Sequence, residues 1–167
     1  MGRRSTRLIP ILMIAVIMGC SPAADVAADR AEVTPPDQSI HPVSGLELVP
    51  VVVTGKDGSH EFVAEMADTA ESQAKGLMYR TGLGPDEAMI FPSEQPTARA
   101  FWMKNTPIPL DIIFIGLDGR ISNIAAMTEP YSEDQVYSVG SASAVLEIAG
   151  GRAAELGDEN DQRRIEQ

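Results

Sequence analysis

Asp111-Ile112-Ile113-Phe114-Ile115-Gly116-Leu117 is the stretch on which the reading of the fold turns. Four large apolar side chains in succession, Ile112 to Ile115, leave no polar face, the pattern of a short strand buried on both sides. Asp118-Gly119 follows at once and suits a two-residue hairpin turn. Residues 120–127 then read as the returning strand. Upstream, residues 101–104 are strand-like, and Pro107 and Pro109 mark a break. Residues 89–91 form a short apolar strand between a polar turn region at 82–87 and a loop at 93–99. Residues 46–54 and 60–66 read as a hairpin across Gly55-Lys56-Asp57-Gly58, with Val49, Val51, Val52 and Val53 supplying β-branched side chains. Pro50 puts the first of these strands at an edge or bends it. In the second, Phe62 and Ala64 alternate with Glu61 and Glu65. Asp68 and Glu71 have capping-box spacing and open a short helix at 69–75, which Gly76 ends. Downstream, residues 145–148 form a last short core strand, and residues 151–156 a helical turn closed by Gly157. Together these elements predict an α+β fold, mainly antiparallel β: a compact barrel-like or curved sheet with one or two short helices, spanning 46–165.

The chain ahead of this domain has a different character. Arg3, Arg4 and Arg7 precede an almost wholly apolar run at 8–18, which is too short to span the roughly 30 Å of a hydrocarbon core. The pattern is that of a signal peptide over residues 1–19. Ile17-Met18-Gly19-Cys20 resembles a bacterial lipobox, which makes Cys20 the expected lipidation site. Residues 20–45, rich in Ala, Pro, Asp and Ser without hydrophobic period, read as the lipidated N-terminus and a disordered tether. The expected location is therefore exported and lipid-anchored in the periplasm. Ser21, rather than Asp, after the cysteine favours the outer membrane in a Gram-negative cell.

Composition narrows the function. The 167 residues are 44% apolar and 5% aromatic, with a net charge of −11. Removing Arg3, Arg4 and Arg7 with the leader leaves 10 basic and 24 acidic side chains, a net charge of −14. Such a surface repels phosphate backbones, so no nucleic-acid partner is expected. Cys20 is the only cysteine, and His41 and His60 are the only histidines. No intramolecular disulfide can form, and a zinc site of the usual ligands lacks donors. No cofactor is expected.

Phe101-Trp102-Met103-Lys104-Asn105-Thr106 holds the sole Trp beside a cation, an amide and a hydroxyl. Strand alternation would put Trp102 and Lys104 on one face, where an indole and an ammonium suit a ligand with a flat or apolar part and a carboxylate or hydroxyl. The competing reading has Trp102 filling core space and Lys104 reaching past it to water.

This segment also carries a family resemblance. Together with Gly76-Leu77-Met78-Tyr79-Arg80, Met89-Ile90-Phe91, Ile108-Pro109-Leu110-Asp111-Ile112-Ile113-Phe114-Ile115 and Val145-Leu146-Glu147, it resembles the bacterial and archaeal family named domain of unknown function 192 (DUF192), over about 51–161. Two departures stand out. Ala88-Met89 replaces the usual Gly-Met, taking a glycine from an expected turn. Asp158 and Asn160 alter the tail, which weakens the expectation of a last strand near Asp161. The resemblance implies one compact β-rich fold and frequent export. It implies no reaction.

The polar members of those blocks, Arg80, Lys104, Asn105, Asp111 and Glu147, join Trp102 as candidate ligand-binding residues. Asp111 and Glu147 sit among apolar neighbours, where a carboxylate needs a partner, and Arg80 and Lys104 are the available ones. The groups either fix strand geometry as ion pairs or converge on a pocket. Binding of a small polar molecule or an envelope partner is the leading expectation. A hydrolase using Asp111 and Glu147 as an acid/base pair is one alternative. A Cu(I) site built from Met66, Met78, Met89, Met103 and Met127 is another.

Overall fold

The computed structural model describes residues 40–55, 58–157 and 164–166, the last three by backbone alone. The expected signal peptide, Cys20 and most of the expected tether lie outside the described residues, as do Lys56-Asp57 and residues 158–163. Along the chain run β1 (Leu48–Gly55), β2 (Gly58–Met66), α1 (Ala70–Lys75), β3 (Glu87–Thr97), β4 (Ala100–Phe101), β5 (Leu110–Gly116), β6 (Ile121–Thr128), β7 (Val136–Tyr137), β8 (Ala142–Ala149), α2 (Arg152–Glu155) and β9 (Arg164–Glu166). Seven strands make one sheet in the order β6-β5-β8-β3-β2-β1-β9, and β4 pairs with β7 apart from it. Within the large sheet only β2 and β3 are parallel. The connection between them, which contains α1, lets the second strand enter in the same direction. The sheet is curved but not closed, the α+β architecture expected from the sequence.

Side-chain alternation sorts the core into two layers. Val51, Phe62, Ile90, Ile113, Leu146 and Ile148 belong to a cluster that draws on β1, β2, β3, β5 and β8 and packs against Ala153 of α2. Met89, Phe91, Ile112, Phe114 and Val145 form the opposite layer, covered by Leu77 and Met103 from the connecting segments. Every residue of β5 from Leu110 to Ile115 is buried, as its apolar run requires. Phe101 meets Phe91 and Phe114 edge-on, at centroid distances of 5.1 and 6.1 Å. Each such pair adds roughly 0.5–1.5 kcal/mol beyond area burial.

Several local expectations need correction. The β5–β6 loop has three residues, not two: Gly116 N–H donates to Arg120 O at 2.7 Å, and Gly119 N–H to Gly116 O at 3.1 Å. Gly119 takes φ +73°, the left-handed residue that closes a three-residue hairpin. The capping box of α1 is Thr69 with Ser72, one residue beyond Asp68. Ser72 N–H donates to Thr69 Oγ1 at 3.1 Å, and Thr69 N–H to Ser72 Oγ at 3.0 Å. The expected loop at 93–99 is mostly strand, because β3 continues to Thr97. Pro92 and Pro96, which lack N–H groups, flank a shift in its pairing with β8 between Pro92 and Thr97. Residues 101–104 are strand only at Phe101. Ala88 stands in β3, almost fully buried, and not in a turn.

The ordered body also begins before residue 46. Ile40 bridges to Glu47, and His41 N–H donates to Leu46 O at 2.8 Å, so residues 40–45 pack on the domain. Pro50 sits opposite Val63, beyond the stretch of β1 that β9 covers, Val52 to Thr54. Its missing N–H therefore falls where, among the described residues, no neighbouring strand asks for one.

Candidate functional site

Glu147 occupies the middle of β8, with Met89 of β3 on one side and Ile112 of β5 on the other. Both flanking strands are fully paired there, so the side chain cannot escape sideways and is only 5% exposed. Among the described residues its Oε2 is buried without a hydrogen-bond partner. Burial in this apolar setting disfavours the charge and pushes the carboxyl up to about 8. At neutral pH it is mainly a neutral acid.

Glu147 forms part of the lining of a cleft of about 330 Å³ on the outer layer. One wall is α1 and the turn after it, Gln73 to Met78; the other is the segment from Arg99 through Trp102 and Lys104 to Thr106. Phe91 and Phe101 add aromatic surface between them. Lys104 Nζ lies 4.9 Å from the Trp102 ring centroid, a cation–π pair, and Trp102 remains 41% exposed. The two side chains therefore meet as expected, although the chain reaches that arrangement through turns and not strand alternation. Thr106 N–H donates to Met103 O at 3.0 Å, and Tyr79 N–H to Asn105 O at 2.8 Å. Arg99 is held by Ser93 Oγ at 2.8 Å and Gln73 Oε1 at 3.3 Å, and its guanidinium stands 5.5 Å from the Phe101 centroid. Partial burial pulls its pKa below the usual arginine value.

The remaining candidates lie elsewhere. Arg80 Nη2 contacts both carboxylate oxygens of Glu65 at 2.7 Å, and His41 approaches the same pair, 3.6 Å from Glu65 and 3.3 Å from Arg80. Glu65, read from alternation as a solvent-facing residue, is thus a buried ion-pair partner. Arg80 lines a neighbouring cavity of about 470 Å³, which shares Lys75, Gly76 and Met78 with the Glu147 cleft. Asn105 takes φ +56° and points its amide at Met78 Sδ, 3.8 Å away. Asp111 is wholly enclosed. Its Oδ1 accepts from Met127 N–H at 2.8 Å and Gly151 N–H at 2.9 Å, and its Oδ2 from Ala153 N–H at 2.8 Å. It thereby ties the bulged strand β6 and the start of α2 to β5.

The register removes the proposed acid/base pair. Asp111 is opposite Ile148, and Glu147 opposite Ile112, so the two carboxyl groups leave opposite faces of the sheet. The five methionines do not share one face: Met66 packs on the inner layer, Met89 and Met103 on the outer, Met78 lines a cavity with Met89, and Met127 is exposed. The sheet stands between Met66 and the outer-layer pair. Among the described residues, no three His, Cys, Asp or Glu side chains group as a metal site.

The DUF192 profile, described as an uncharacterised ACR family, matches residues 51–164. The chain belongs to the DUF192 family. A protein of unknown function from Novosphingobium aromaticivorans DSM 12444, with a crystal structure at 1.22 Å, is 52% identical. It superposes with a TM-score of 0.76 over 82% of this chain and 96% of its own. A Sinorhizobium meliloti 1021 protein, described as a candidate transcription regulator, is 33% identical, with a TM-score of 0.69 over 72% of this chain and 94% of its own. No protein of curated function matches this DUF192 chain.

Within this DUF192 domain, Lys75 and Arg99 line the cleft although the sequence did not single them out. Lys75 abuts the Gly76–Arg80 block and Arg99 precedes Phe101-Trp102 by two positions, so proximity to the family blocks was the available signal.

Proposed function

We propose that this protein is a lipid-anchored binding module of the bacterial envelope whose outer-layer cleft captures a small organic anion with a flat or apolar body. One observation carries the reading. Among the cations with described side chains, Arg80, Arg120 and Arg152 stand in ion pairs. Lys75, Arg99 and Lys104 have no carboxylate partner among the described residues, and all three line the cleft. In a chain of net charge −11, where acidic partners abound, three unmatched cations around one concavity mark a place kept for an anion. The exposed indole of Trp102 and the ring of Phe101 offer the flat surface that an organic anion would cover.

The anchor and the location rest on the leader and the lipobox-like Ile17-Met18-Gly19-Cys20. The strongly acidic remainder of the chain favours a small molecule over a nucleic acid as partner.

Trp102 is the only tryptophan, so its fluorescence reports the cleft directly. Titration with benzoate, indole-3-acetate, glucuronate and N-acetylmuramate should give a saturable change for at least one anion, weakened by salt and absent with benzamide. A folded protein whose emission responds to none of them up to millimolar concentration ends this reading.

A further inference from the structure

We infer that the ligand of the cleft is a hydroxy or oxo acid, its carboxylate held at the cationic rim and its uncharged oxygen hydrogen-bonded by Glu147 at the floor. The inference rests on the anion-binding reading above and specifies the other end of the molecule.

A cleft that served only to attract an anion would be best floored by an apolar residue or a donor. A carboxyl group there is costly, because it must stay charged and repel the ligand or stay neutral and lack a partner. Glu147 does the second: its Oε2 has no partner among the described residues, and the side chain lines the cleft. Its surroundings account for this. Met89 of β3 and Ile112 of β5 flank it and bring no charge. Glu65, one strand beyond Met89, is consumed by Arg80 and His41. Lys75 of α1 and Arg99 and Lys104 of the opposite wall line the same cleft, but none makes a salt bridge with Glu147. The buried carboxyl titrates near 8 because of desolvation. A neutral carboxylic acid donates one O–H, and the complement of that donor is an oxygen acceptor such as a carbonyl or hydroxyl. A ligand ammonium fits worse, since it would add positive charge to a site that already holds three cations.

The test compares benzoate with 4-acetylbenzoate, whose ketone oxygen can only accept, on the full chain by calorimetry between pH 6 and pH 9. The ketone should tighten binding by about ten-fold at pH 6–7, the size of one well-made hydrogen bond. That gain should shrink above pH 8 as Glu147 ionises, and Glu147→Ala should abolish it. Glu147→Gln keeps a neutral donor, so it should keep the gain and lose the pH dependence. The unmodified protein reads the same pH profile should either variant fail to fold. Equal affinity for the two probes, with both bound, overturns this inference while leaving anion capture standing. Affinity for 4-(aminomethyl)benzoate, whose amine is an ammonium in this range, that rises up to pH 8 also overturns it, in favour of an ammonium partner. Absence of binding by either carboxylate at every pH overturns both readings.

Discussion

Glu65 and Glu147 project from the same face of the sheet in one cross-strand row, with Met89 between them. Adjacent strands lie about 4.8 Å apart, so the two backbones are separated by roughly 10 Å. Both carboxyl groups are buried, at 2% and 5% residue exposure, yet they are treated differently. Glu65 meets Arg80 through both oxygens and has His41 at its side, while Glu147 faces a cleft. One carboxyl group is paired within the fold, and the other has an oxygen without a partner among the described residues.

That difference makes stability depend on pH through Glu147. In the unfolded chain the carboxyl titrates near 4.5, and in the fold near 8. The folded state holds the proton more tightly, so its contribution is fullest below pH 4.5 and declines as pH rises to 8. Glu147→Gln stays neutral throughout. Its advantage over the parent in urea unfolding should grow across that window to roughly 5 kcal/mol and stay level above it. Parallel stability curves for the two proteins would contradict the assignment.

Arg80→Ala strands Glu65 as a buried charge and should cost about 3–5 kcal/mol. The double variant Glu65→Leu, Arg80→Met should regain most of that loss, because both charges then leave the interior together. Urea midpoints at pH 7 decide the matter, and a double variant as weak as the single one would show the pair to be indispensable to the fold.

Asp111→Asn tests the carboxylate that binds three backbone N–H groups. An amide has one accepting oxygen, so at least one buried N–H loses its partner, at about 1–3 kcal/mol. Hydrogen exchange should quicken first at Ala153 and Gly151, which anchor α2. Unchanged protection there would mean that α2 is held by other contacts.

Lys104→Ala removes a rim cation that packs on an exposed indole. Melting temperature should hardly move, since such pairs contribute about 0.5–1 kcal/mol at exposed sites. Anion affinity should fall several-fold, and more steeply when combined with Arg99→Gln. Retained affinity in the double variant would remove the cations from the recognition mechanism.

Cys20→Ser should shift the protein from the membrane to the soluble periplasmic fraction and abolish palmitate labelling. Continued fractionation with membranes would require another means of attachment.

Much of the fold was legible because its strands announce themselves. The run Ile112-Ile113-Phe114-Ile115 admits only a strand covered on both sides, and the structure buries it so. The alternation of Phe62 and Ala64 placed β2 correctly in outline but misjudged Glu65, because an ion pair hides a charge that sequence period assigns to solvent. Residues 93–97 looked like loop because four are polar and the fifth is proline, yet the backbone of β3 stays extended past its break with β8. The site was half visible. Trp102, Lys104 and Glu147 share a cleft, whereas Asp111, read as an equal of Glu147, leaves the other face because one position of register reverses direction. Arg99 and Lys75 went unmarked since nothing in a single chain tells which cations will be left without a carboxylate.

Pro50 has a consequence for how copies of the molecule behave near one another. Among the described residues, β9 covers the outer side of β1 only from Val52 to Thr54, and an uncovered strand edge is a template on which a second chain can add. A proline in the uncovered stretch denies the newcomer a donor and interrupts the ladder. Pro50→Val should therefore leave folding intact while shortening the lag before fibrillar aggregation in concentrated samples.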